Sequence, residues 1–308
     1  MFPTLPEDVI DAVREIFASA NNDVSNLLAR QPGMHEEGLD FHLVSKLDEV
    51  GPLLVPSGAA VVIETHWLGG RRHWGRWEIS DIALVVTVRA RGYLVVRKAA
   101  LLQTKRLYSR EVPIETRDRS DYAIGIGRLI DRTDPAVPLF KQREFSFTGE
   151  CLYGALSSGS EQVQRIDDYV ETRGVPVYYA LYNPPTIPLS GLYPALAKKR
   201  EPEDNEVGCR VLRREEVHDA LKQLPIGASP SFDGLKSAAR ATRFDRCADH
   251  GWRLETFVAD EVMRCKEGKL FESMDDEVLS RLLYARSAPI SSAIVVTIDL
   301  PESTGMPE

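Results

Sequence analysis

The sequence predicts an α/β protein built on a mixed sheet, and three observations carry that prediction. Two apolar, β-branched runs flank Ala90-Arg91-Gly92 and read as a long β-hairpin. From Met34 to Asn183, helical periodicity and strand-like runs alternate as helix, strand, strand, strand, helix, strand. The composition, 43% hydrophobic and 27% charged over 308 residues, is that of an ordinary globular chain. The predicted organisation is an N-terminal helical segment (1–30), an α/β core (31–190) and a mostly helical C-terminal region ending in a strand (191–308).

Residues 5–30 read as two short amphipathic helices split at Asn21-Asn22, with Val9, Ile10, Val13 and Ile16 on the first apolar face. After the break at Pro32-Gly33, HEEGLDFHLVSKLDEV is a helix with Leu39, Leu43 and Leu47 as its stripe. Glu36 lies on that stripe and Glu37 beside it. An acid on the core side of a helix is costly unless it binds a cation or is hydrogen-bonded. A strand follows from about Ala59 to Trp67, then the turn Gly69-Gly70-Arg71-Arg72 and the hairpin, whose strands run from Ile82 to Val88 and from Tyr93 through Leu102. Asp81 opens the first strand, and Gln103 and Lys105 lie near the end of the second, so antiparallel pairing brings all three to one rim. Residues two apart on a strand share a face, which puts Gln103 and Lys105 together and Thr104 opposite.

Residues 106–150 are rich in charge and proline, and no element is assigned there. SGSEQVQRIDDYVETRG is a helix capped by Ser160 and closed by Gly174, with Val163, Ile166 and Val170 buried. VPVYYALYNPP is a strand ended by prolines. KKREPEDNEV suits a linker or long surface loop. Beyond it, GWRLETFVADEVMRCKEG and ESMDDEVLSRLLYAR have helical spacing, and SAIVVTIDL is a strand suited to a sheet edge.

The purely apolar runs fall far short of the roughly 20 residues of a membrane span. The start MFPTLPEDV lacks a signal peptide's basic and apolar regions, so the chain reads as cytoplasmic. Four scattered cysteines with no C-x-x-C pair suggest reduced structural thiols. There is no G-x-S-x-G, no H-E-x-x-H and no Walker-type loop, and Gly125-Ile126-Gly127 lacks the frame of a dinucleotide site. A net charge of −8 argues against indiscriminate nucleic-acid coating. The charge is uneven: ten lysines and arginines between Arg71 and Arg110 stand against only Glu78 and Asp81. Arg71, Arg72, Arg76 and Arg106 therefore point to a polyanionic ligand, with Trp67, Trp74 and Trp77 interleaved in a pattern that can stack on bases. His66 and His73 flank the same turn.

An aspartate on one strand and Gln-x-Lys on its neighbour resembles the metal site of the PD-(D/E)xK, or restriction-endonuclease-like, nuclease superfamily. Within it, the pattern is similar to the Mrr-type subset, which has glutamine for the second acid. The predicted element order agrees with that superfamily's α-β-β-β-α-β core. The resemblance implies a metal-dependent endonuclease that hydrolyses DNA phosphodiester bonds in restriction or phage defence, with Mg²⁺ or Mn²⁺ as cofactor. It implies Asp81 as principal ligand, Gln103 as ligand through its amide oxygen, and Lys105 as the group that stabilises developing charge. It also implies a helix glutamate in the metal shell. Glu37 fits the superfamily spacing better than Glu36, through Leu39, Leu43 and Val44. A helicase or ATPase partner is a further expectation. The alternatives are a nuclease-like module without turnover that binds nucleic acid or a partner protein, and an RNA-directed nuclease.

Overall fold

The computed structural model describes residues 2–67, 79–111, 143–193, 204–242, 251–271, 277–283 and 289–301. The basic turn carrying Arg71, Arg72 and Arg76, with His73, Trp74 and Trp77, lies outside them. So do Gly125-Ile126-Gly127, Cys247 and most of the KKREPEDNEV segment.

Helix α1 (Glu7–Arg30) opens with Glu7 and Asp8 in its first turn, where carboxylates favour the positive end of the helix dipole. It is one continuous helix rather than two. The expected break fails because Asn21 is buried and satisfied by distant partners. Its Nδ2 donates to Glu255 Oε2 at 2.7 Å, and its Oδ1 accepts from the Cys209 N–H at 2.7 Å. Those bonds remove the competition with the local backbone that disfavours asparagine inside helices. Helix α2 (Glu36–Asp48) packs on α1 and buries Leu39, Leu43 and Leu47 as predicted.

Strands β1 (Leu53–Leu54) and β2 (Ala60–Trp67) precede the hairpin of β3 (Ser80–Ala90) and β4 (Tyr93–Arg106). Arg91 and Gly92 have φ of 55° and 75°, so the loop is a two-residue turn with both residues left-handed, which matches the twist of the paired strands. Ile82 pairs with Leu102, which sets Asp81 across from Gln103. The small strands β5 (Arg110–Glu111) and β6 (Arg143–Phe147) come before helix α3 (Glu161–Arg173) and strand β7 (Val177–Tyr182). The Ser160 side chain accepts from Val163 N–H, and Gly174 ends α3 at φ 63°, the limits expected from the sequence. β7 runs parallel to β4 and is buried throughout.

Strand β8 (Leu189–Tyr193) completes a three-stranded sheet with β6 and β5. The main sheet continues with β9 (Arg210–Arg213), β10 (Trp252–Arg253), β11 (Lys269–Phe271) and β12 (Ile290–Leu300), in the order β1-β2-β12-β3-β4-β7-β9-β10 with β11 on β4. The chain is thus a mixed α/β protein with a mixed sheet. Helices α4 (Arg214–Lys222), α5 (Phe232–Thr242) and α6 (Glu277–Leu283) accompany these strands. In place of the regular helix expected after Gly251, Trp252–Arg253 is strand, and a short helical turn, Leu254–Thr256, runs into a π-helix, Phe257–Val262.

The larger correction concerns β12. The sequence suggests an edge strand, yet β12 lies in the middle of the sheet, antiparallel to β2 and parallel to β3. An uninterrupted apolar run is what a strand buried on both faces requires, and nine of its eleven residues are buried. β2 and β3 are consequently not neighbours. Among the described residues, Cys151 and Cys209 are buried and Cys265 is exposed, all unpaired, and no helix is long and apolar enough to cross a membrane.

Candidate active site

The rim formed by the start of β3 and the end of β4 opens into a cleft of about 660 Å³. All five acid, amide and lysine candidates from the sequence line it: Asp81, Gln103, Lys105, Glu36 and Glu37. α2 contributes from one side and the first turns of α3, with Glu161, Gln162 and Arg165, from the other.

Asp81 is held in place from several directions. Its backbone carbonyl accepts from Ser292 Oγ of β12 at 3.0 Å, so the inserted strand anchors the start of β3. Its Oδ2 accepts from Thr104 N–H at 2.7 Å, from Thr104 Oγ1 at 2.9 Å and from Gln103 Nε2. Because a carboxylate only accepts, it fixes which end of the Gln103 amide faces it. Gln103 Oε1 is then turned away from Asp81. It is buried and has no hydrogen-bond partner among the described residues.

Lys105 is 4% exposed, and its Nζ lies 3.6 Å from Glu36 Oε2. Glu36 Oε1 also accepts from the Arg106 N–H at 3.1 Å. Glu36 is therefore the acid that reaches the strand, whereas Glu37, the better fit by sequence spacing, is exposed at the cleft's rim. The sequence groups Arg106 with the nucleic-acid-binding arginines. It is 6% exposed, donates to the Pro32 carbonyl, and stacks on Tyr108 with its guanidinium carbon 3.8 Å from the ring centre. Its place is structural, tying β4 to the loop before α2.

Sequence reasoning missed Asp40. It is 3% exposed, and it accepts from Tyr182 OH at 2.7 Å while its Oδ2 lies 2.9 Å from Thr104 Oγ1. Burial first, and then the charge of Asp81, push the Asp40 carboxyl well above the usual range. The geometry accommodates a protonated Asp40. Thr104 Oγ1 stands 2.9 Å from a carboxyl oxygen of Asp40 and of Asp81, and one hydroxyl proton serves only one of them. With Asp40 protonated, the chain closes: Asp40 donates to Thr104 and Thr104 donates to Asp81. Asp40 follows Leu39 and sits four residues after Glu36, so the acid-on-the-core-side signal applied to it as well.

Among the described residues no three His, Cys, Asp or Glu side chains converge on one point. The donors that fit a hard cation are instead carboxylate and amide oxygens, from Asp81, Gln103 and Glu36, with Glu37 at the rim. That set suits Mg²⁺ or Mn²⁺, which retain several waters and bind through few protein oxygens. The buried, unpartnered Gln103 Oε1 is the specific mark of fit, since coordination satisfies an oxygen whose isolation is otherwise costly; sharing a cation with Asp81 requires the amide to turn over, because Nε2 now faces that carboxylate. Comparison of the chain with protein-family models, curated proteins and solved structures finds no match.

Proposed function

We propose that the chain is a metal-dependent endonuclease of the restriction-endonuclease-like type, hydrolysing DNA phosphodiester bonds with Mg²⁺ or Mn²⁺. The carrying observation is the unpartnered Gln103 Oε1, buried beside Asp81 in a cleft that also holds Lys105. The succession α2, β2, β3, β4, α3, β7 around that cleft supports the same reading, with the short strands β1, β5 and β6 interspersed and β12 inserted between β2 and β3.

Asp81, Gln103 and Glu36 would hold the cation. When bound, such an ion neutralises phosphate charge and acidifies a water. The chain's own residues supply the rest. Ser292 and Thr104 fix Asp81 from the backbone and side-chain sides, so the ligand does not have to reorganise. Neutral Asp40 lets Thr104 keep its donor on Asp81 without bringing another charge into the site. Lys105, nearly buried and balanced by Glu36, presents a cation to the phosphoryl oxygens, where a positioned charge stabilises the transition state. Restriction or phage defence in the cytoplasm is the setting this chemistry suits.

The test is cleavage of plasmid DNA, single-stranded DNA and RNA by the full chain with Mg²⁺, with Mn²⁺ and with chelator. Metal-dependent DNA cleavage is the expected result. RNA cleavage alone moves the assignment to a ribonuclease, and no cleavage with either metal leaves a binding module.

A further inference from the structure

We propose that the arginine-rimmed groove beside the active-site cleft binds a single strand of nucleic acid leaving that cleft, with its phosphates on Arg165, Arg173 and Arg281. The nuclease reading says where the strand comes from; the groove itself stands on separate geometry.

The groove is a cavity of about 470 Å³ between α3 and α6. Arg165 lines both this cavity and the cleft, so the two meet at its side chain. The floor includes Ile79 and Pro289, stitched together where the Ile79 and Ser80 N–H groups donate to the Pro289 carbonyl at 2.9 and 3.1 Å. Ile79 stands two residues before Asp81, which carries the groove directly up to the proposed metal ligand. Along α3, Arg165 and Arg173 are two turns apart, about 12 Å of helix. At about 3.4 Å per nucleotide of a stacked strand, that separation spans three to four nucleotides. Arg281 faces them from α6.

The charge of the groove favours an anion. Among the described residues Asp168 is the one acid lining it, while Asp167, its neighbour on α3, is turned to Arg214 at 3.1 Å and to His218 at 3.0 Å. Arg165 and Arg281 each pair with a glutamate four residues earlier, Glu161 and Glu277, whose side chains are 76% and 73% exposed. Such exposed pairs are weak and readily exchange for a phosphate, which takes the guanidinium in a two-pronged contact. Lys269 Nζ donates to the Arg173 carbonyl at 2.9 Å and brings a further ammonium to the far end.

The apolar floor distinguishes a single strand from a duplex. The half-buried Tyr169 ring offers a face on which an unpaired base stacks, whereas a duplex turns its bases inward and meets a protein mainly through phosphates and groove edges. Burial pushes the Tyr169 hydroxyl up to about 12, so the ring stays uncharged beneath the phosphates at physiological pH.

The experiment is fluorescence anisotropy of the full chain, in chelator to prevent cutting, with a fluorescein-labelled oligothymidylate and a duplex of equal length over a range of salt. Removing both arginines in Arg173→Ala with Arg281→Ala should flatten the slope of log affinity against log salt by about 1.4 on the single strand, roughly 0.7 for each phosphate released. Arg173→Lys with Arg281→Lys should restore it, which separates charge from misfolding. An unchanged single-strand slope, or a loss confined to the duplex, overturns the proposal. Cleavage by the wild-type chain is measured in parallel. Cleavage with an unaffected slope removes the groove alone, a flattened slope without cleavage removes the nuclease reading alone, and absence of both binding and cleavage removes both.

Discussion

Asp40→Asn is the substitution that separates a neutral, positioning carboxyl from an ionised one. Asn keeps an oxygen for Tyr182 OH and supplies an N–H toward Thr104, so the variant should fold, at a cost below about 1 kcal/mol. Asp40→Ala leaves the buried Tyr182 hydroxyl and Thr104 without that partner. At about 1–3 kcal/mol for each group left unsatisfied, it should cost roughly 2–6 kcal/mol. The pH dependence gives the sharper test. The folded-state pKa of Asp40 is raised above its ordinary value of 3.8. Its contribution to stability is therefore full below 3.8 and is lost as pH rises toward the folded-state value. In that window the native state binds one proton more than the unfolded chain, so wild type should lose about 1.4 kcal/mol per pH unit relative to Asp40→Asn. In urea this is a midpoint shift of roughly half a molar per pH unit at an m-value of about 3 kcal/mol/M. Urea titrations of both proteins at a series of pH values rising from 4 measure it. Parallel profiles, or a wild type that gains on Asp40→Asn as pH rises, refute the protonated Asp40.

Two further predictions concern the hairpin residues. Gln103→Glu replaces the amide donor to Asp81 with a second carboxylate, so the metal-free protein should lose about 1–3 kcal/mol of stability. Mn²⁺ should restore that loss and bind on the order of tenfold more tightly, since added ligand charge raises affinity for a hard cation. Thermal melts with and without Mn²⁺ check this; a variant insensitive to the ion shows that residue 103 is not a ligand. Lys105→Ala removes the cation 3.6 Å from Glu36, so Mn²⁺ affinity should hold or rise while turnover falls by about a hundredfold. Calorimetry with a cleavage assay separates the two, and normal turnover shows that Lys105 only balances Glu36.

The hairpin and α3 were legible because their signals are local. Gly92 marks a turn that needs positive φ, and Ser160 and Gly174 bracket one amphipathic segment. Asp81, Gln103 and Lys105 came with them, because hairpin register alone brings these residues to one rim. What escaped is nonlocal. Asn21 stays helical through bonds to Cys209 and Glu255, more than 180 residues away in sequence. The apolar run of β12 was readable as a strand, but no local pattern tells that it enters between β2 and β3. The choice of Glu37 over Glu36 rested on spacing. Which of the two reaches β4 depends on how α2 seats against that strand, and Glu36 is the one bonded to the Arg106 backbone. Asp40 resembled any acid beside an apolar stripe until Thr104 and Tyr182 were seen to enclose it.

The most direct test of the metal centre is Mn²⁺ titration of the chain and of Asp81→Ala, with plasmid cleavage followed on the same preparations. Asp81→Ala removes the anchored carboxylate without opening an apolar core cavity. It should keep the wild-type circular dichroism spectrum, lose Mn²⁺ binding, and cleave at least about a hundredfold more slowly, some 2.7 kcal/mol of barrier. Wild-type Mn²⁺ affinity and turnover in Asp81→Ala would contradict the account, because the cation and the chemistry would then lie elsewhere.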